Sequence, residues 1–228
     1  MVARVLHLLK QDQIALYVAL IVRLALPLPA KFLTNYLNTA QLDYALLVLA
    51  FMLTVFVQIF AADCARQMIV RKKILVGQTL TDSLKRYVPT LFFGSVLPLL
   101  LVVTLGVLLL SLLGGQFDAK IAFLLLPLIF LAGLCETLFP VVYVLSNMPV
   151  YRIYYLFGNY LLKNFRHALQ VLFFILLTAL VVSLATPFLQ RLPYAEFWTA
   201  LLSGFQAVFV VYGLVIMFLG NNQVSELV

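Results

Sequence analysis

The chain has 228 residues, 65% of them hydrophobic and 10% charged, with a net charge of +7 and a mean hydropathy of +1.12. Soluble domains hold about 45–50% apolar and about 25% charged residues, so this composition excludes a water-soluble fold and leaves no polar stretch for a second domain within residues 1–228. The positive charge points to cytoplasmic loops and anionic lipid rather than nucleic acid, because no basic tail or aromatic–basic interleaving stands outside the apolar runs.

The apolar runs fall at about 14–34, 44–64, 89–113, 120–145, 169–188 and 197–220. Each is close to the ~20 residues that cross a ~30 Å hydrocarbon core. Only helices or closed barrels can span lipid, and these runs lack the period-2 alternation of barrel strands. The expected fold is all-α: a polytopic transmembrane helical bundle of about six spans, arranged as three hairpins. Arg4 and Lys10 precede the first run as they would in a signal peptide, but Leu28-Pro29-Ala30 is a poor cleavage site and Arg23 interrupts the apolar core. Span 1 is therefore expected to be retained.

Arg4, Lys10, Arg66, Arg71, Lys72, Lys73, Lys85, Arg86, Arg152, Lys163 and Arg166 collect on one side of this topology, against Lys31, Lys120 and Arg191 on the other. The positive-inside bias puts the first side, with both termini, in the cytoplasm. Connections on the outer side are short, near 35–43, 114–119 and 189–196. Tyr36, Tyr44, Tyr194 and Trp198 fall at that boundary, as an interfacial aromatic belt requires.

Residues 67–88 and 150–168 mix apolar and basic side chains, and read as two amphipathic helices lying along the inner leaflet ahead of spans 3 and 5. In the first, Thr79 with Asp82 resembles an N-terminal cap, and Asp82 and Arg86 stand at i, i+4. The two segments share a pattern. Arg71, Leu75, Gly77, Leu80 and Leu91-Phe92-Phe93 recur 81 positions later as Arg152, Leu156, Gly158, Leu161 and Leu172-Phe173-Phe174, which suggests an internal repeat over about 65–145 and 146–220. Gly77 and Gly158 are candidate hinges: each reads as a helix break or a close backbone approach, or as a headgroup-binding point. Candidate lipid-headgroup contacts are Arg71, Lys72, Lys73, Lys85, Arg86, Arg152, Lys163 and Arg166.

Within the spans, Arg23 and Glu136 are a candidate intramembrane polar pair. They read as a structural ion pair or as part of a proton or substrate path. Asp63, at the inner end of span 2 beside Arg66, reads as interfacial and solvated. Gly94, Gly106, Gly133, Gly204 and Gly213 permit close helix contact. Cys64 and Cys135 are expected as thiols, and neither they nor His7 and His167 have metal-ligand spacing, so no metal or cofactor is expected. No P-loop, GxSxG, HExxH or CxxC motif occurs, and no enzyme activity is expected.

The paired segments with Gly77 and Gly158, the following Leu84-Lys85-Arg86 and Phe165-Arg166-His167, and the Leu-Phe-Phe runs resemble a broad group of prokaryotic six-helix membrane proteins. That group includes the membrane domain fused to some glycerophosphodiester phosphodiesterases. The resemblance covers most of 65–188, implies no catalytic residues, and brings no phosphodiesterase domain. A weaker likeness is to permease subunits of ABC-2-type exporters, which have six spans and a cytoplasmic helix between spans 2 and 3. The expected function is a non-enzymatic protein of a prokaryotic inner membrane that handles lipids or supports a membrane complex through its basic interfacial helices. The alternative is a transport subunit with a polar path near Arg23 and Glu136, served by a partner protein or ATPase subunit.

Overall fold

The computed structural model describes residues 2–11, 13–25, 39–112, 119–146, 148–163 and 165–220. These form α1 (Val2–Gln11), α2 (Ile14–Ala25), α3 (Thr39–Arg71), α4 (Val76–Pro89), a π-helical segment (Thr90–Val96), α5 (Leu97–Leu112), α6 (Ala119–Ser146), α7 (Val150–Lys163), α8 (Phe165–Leu189) and α9 (Ala195–Gly220). No strand occurs among the described residues. Five helical stretches are long and apolar enough to cross a membrane: Gln41–Arg71, Val76–Ser111, Leu125–Ser146, Leu169–Leu189 and Phe197–Leu219. The short pair α1 and α2 meets the same test only when taken together, across an 83° bend.

α3 and α9 form the centre. α9 packs against α2, α3, α8, α1 and α6, and α3 against α9, α6, α4 and α2. Small residues allow the approach: a Cβ on Gly204 of α9 would stand 3.5 Å from the Ala19 backbone of α2. The core holds Ile59, Phe60 and Ala61 of α3, Leu138 and Val141 of α6, and Tyr212 and Leu214 of α9. α1 joins it through Val5 and Leu9. By contrast, α5 and α8 present long rows of exposed leucine and valine, the expected outer surface of a bundle whose solvent is hydrocarbon.

Gly213 is the tightest of these approaches. A Cβ there would lie 2.5 Å from the ring of Phe174 on α8, which is buried and packs on Phe209 at a ring separation of 5.8 Å. Gly213→Ala is therefore expected to cost about 1–3 kcal/mol, the usual cost of overpacking. Thermal unfolding in detergent measures it, and Phe174→Leu in the same chain should recover part of the loss. An alanine variant as stable as the native chain would contradict this packing.

Several local expectations are corrected. α3 reaches back to Thr39 and on to Arg71, so its 33 residues make about 50 Å of helix against a ~30 Å core, and one or both ends must project. The segment after it does not lie apart as a separate interfacial helix: Val76–Ser111 is one continuous helical stretch. The helix break falls at Lys72–Leu75, where Lys72 has φ 54°, and Gly77 already sits in the first turn of α4. Gly158 lies inside α7. Nothing stands within 4 Å of a Cβ at either glycine, so neither marks a break or a close approach. Thr79 is not a cap: α4 starts three residues earlier, and the Thr79 hydroxyl donates back to the Leu75 carbonyl at 3.0 Å. Pro89 explains the π-helical segment. It has no N–H, so the α-helical ladder loses a bond there, and the chain continues in a wider turn in which Leu97 N–H donates to the Phe92 carbonyl.

Candidate functional site

The buried polar residues among those described lie on α3, α4 with its π-helical continuation, and the end of α6. Asp63 on α3 has no exposed surface. Its carboxylate accepts from Arg66 Nη2 at 2.6 Å and Gln67 Nε2 at 3.1 Å, and Arg86 Nη1 of α4 stands 3.8 Å away. Arg66 and Gln67 reach it because i, i+3 and i, i+4 share a helix face. Gln67 Oε1 in turn accepts the Leu75 N–H at 2.9 Å, tying the loop after α3 to the cluster. The Arg86 guanidinium also lies 6.0 Å from the centre of the Tyr143 ring and 3.5 Å from the Val144 carbonyl on α6. The carboxylate thus joins α3 to α4, and Arg86 carries the link on to α6. The expectation of a solvated Asp63 is overturned, and Arg86 turns inward, with a side chain only 13% exposed. Asp82 stands one turn before Arg86 on α4, and the contact with Asp63 adds a long-range partner because this face of α4 turns to α3.

That orientation decides the character of α4. Thr79, Ser83 and Thr90, spaced along one face of α4 and its π-helical continuation, are all fully buried. Val76, Leu80, Leu84 and Val88, at successive intervals of four, are 44–68% exposed. The helix is amphipathic with its apolar stripe outward. Arg71, Lys72 and Lys73 lie exposed just before it, and Lys85 lies exposed beside Leu84. Tyr87 fixes the helix further by donating to the Met52 carbonyl of α3 at 3.1 Å.

α7 is held by Ile153, which is buried, and by the Tyr154 hydroxyl, which donates to the Phe93 carbonyl in the π-helical segment. Burial, with Cys135 nearby, pushes the Tyr154 phenol up to about 12, which keeps it a donor. Tyr154→Phe should cost about 1 kcal/mol through this bond, read as a lower unfolding midpoint in detergent. No change would show that the bond has no net worth.

Arg152 and Arg166 are exposed, while the Lys163 and His167 side chains lie outside the described residues, as do Lys31 and Tyr36. Tyr44 and Tyr194 are exposed, and Trp198 Nε1 donates to the Pro193 carbonyl. Arg23 on α2 and Glu136 on α6 are each half-buried. α2 packs on α9 and α3, whereas α6 packs chiefly on α3, α5 and the π-helical segment. The ion pairs among the described residues both centre on Asp63, and none includes Arg23 or Glu136. Cys64 is buried and Cys135 half-buried, with no disulfide between them. The signal missed at sequence level was the polar spacing of Thr79, Ser83 and Thr90, which marks the buried face of α4 and its continuation. Comparison of the chain with family models, with curated proteins and with solved structures gives no match.

Proposed function

We propose that this is a non-enzymatic integral membrane protein that engages anionic phospholipid through the exposed face of α4 and the cations around it. The observation that carries this reading is the outward apolar stripe Val76, Leu80, Leu84 and Val88 flanked by the exposed Arg71, Lys72, Lys73 and Lys85. An apolar face rimmed by cations suits the boundary between acyl chains and anionic headgroups. On this reading the bundle has six spans, counting α1 with α2 as one, in the cytoplasmic membrane of a prokaryote. The α4 end and both termini face the cytoplasm, where the cations concentrate. The buried cluster of Asp63, Arg66, Gln67 and Arg86 serves as the mount that holds the polar side of α4 inward. The test is titration of the detergent-solubilised protein with phosphatidylglycerol and with phosphatidylcholine, comparing the native chain with one carrying Arg71→Gln, Lys72→Gln, Lys73→Gln and Lys85→Gln. Loss of the preference for the anionic lipid supports the reading; an unchanged preference sinks it.

A further inference from the structure

A cavity of about 540 Å³ lies between α5, α6 and α7, away from the cationic face of α4. Its wall runs along α5 from Leu97 to Leu105, crosses to Leu131 and Cys135 of α6, and ends against Tyr154 and Gly158 of α7. The eight rises from Leu97 to Leu105 make about 12 Å, close to the depth of one leaflet of a ~30 Å core. The Tyr154 hydroxyl is engaged by the Phe93 carbonyl, which leaves the apolar part of the side chain for the cavity. Leu101 and Leu131, both lining residues, are 56% and 44% exposed, so the cavity opens sideways on the surface that faces lipid. An opening without polar partners does not hold water. An acyl chain needs no polar partner and suits a wall lined by leucine, valine and alanine. At the α7 end, Tyr151 and Tyr155 are exposed, as aromatic residues at the headgroup boundary are, and Arg152 is exposed on the same turn.

We infer that this groove binds one acyl chain of a phospholipid, with the headgroup at the Arg152 turn of α7. It is a second lipid site, distinct in position and chemistry from the face of α4. Gly158 provides the test. No protein atom lies within 4 Å of a Cβ there, and leucine favours a helix over glycine, so Gly158→Leu fills the groove without disturbing the fold. Cys135 lines the groove while Cys64 is fully buried, so alkylation by an apolar maleimide reports on Cys135. Phosphatidylglycerol at ten times its dissociation constant should slow that alkylation about tenfold in the full-length native chain, by mass action. The same lipid should leave the rate in Gly158→Leu nearly unchanged, and native mass spectrometry should show one retained phospholipid lost. Ala132→Leu, at another lining position, should act likewise. The four-cation variant should keep the protection, so failure of the α4 reading and failure of this one give different results. Absence of lipid protection in the native chain, or equal protection in Gly158→Leu and Ala132→Leu, overturns the inference.

Discussion

Replacing Asp63 by leucine is expected to lower the unfolding free energy in detergent by about 3–5 kcal/mol, the usual cost of removing one partner of a buried ion pair. The reason is asymmetry. Asp63 is fully buried and answers two guanidinium groups at once, those of Arg66 at 2.6 Å and Arg86 at 3.8 Å. Arg66, whose side chain is 28% exposed, can turn to water when the carboxylate is lost. Arg86, at 13%, cannot do so without withdrawing from α6. Gln67 also loses its acceptor and with it part of the hold on Leu75. Asp63→Asn keeps one oxygen acceptor and should cost roughly half as much, given about 1.5–3 kcal/mol for a hydrogen bond to a charged group. The combination Asp63→Leu with Arg86→Leu removes both charges, so its cost should fall well below the sum of the two single variants. Denaturant unfolding in detergent measures all four. A single Asp63→Leu loss under about 1 kcal/mol would show that the cluster does not hold these helices together.

The second large effect is on lipid affinity. A Lys or Arg near an anionic surface contributes about 1 kcal/mol, so neutralising Arg71, Lys72, Lys73 and Lys85 together should weaken binding of phosphatidylglycerol by on the order of 10³-fold. The effect should fade with salt, since the screening length drops from about 10 Å at 0.1 M to about 3 Å at 1 M. Binding of phosphatidylcholine should change little. Arg86→Gln is the informative contrast. Because Arg86 points into the protein, it should lower stability with less effect on anionic-lipid affinity than Lys85→Gln on the same helix. If Arg86→Gln weakened lipid binding as much as Lys85→Gln without loss of stability, the inward placement of Arg86 would not describe the working protein.

These two results separate what α4 shows outward from what it hides. The 14 residues of α4 hold Arg86 on the inward face and Leu80, Leu84 and Lys85 exposed. Their separation rests on a few contacts: the Asp63 cluster and the Tyr87 bond to the Met52 carbonyl.

The helical, membrane-spanning character was legible from composition alone, because lipid supplies no partner for a backbone group and long apolar runs then have few ways to fold. The apolar runs located α6, α8 and α9 within a few residues. The candidate site was only partly legible. Arg71, Lys72, Lys73 and Lys85 could be named from the sequence, but a basic residue at a membrane boundary looks the same there whether it meets a headgroup or a buried carboxylate. Arg86 and Asp63 lie 23 positions apart, on different helices, so no local spacing relates them; only the packing of α4 on α3 brings them together. The break at Lys72–Leu75 likewise falls before the glycine, because Gly77 fits a helix where nothing crowds it. Sequence thus determined the apolar character and the helical class. The tertiary structure decided which face of α4 is buried, since only the partner surface settles which of two faces costs more to expose.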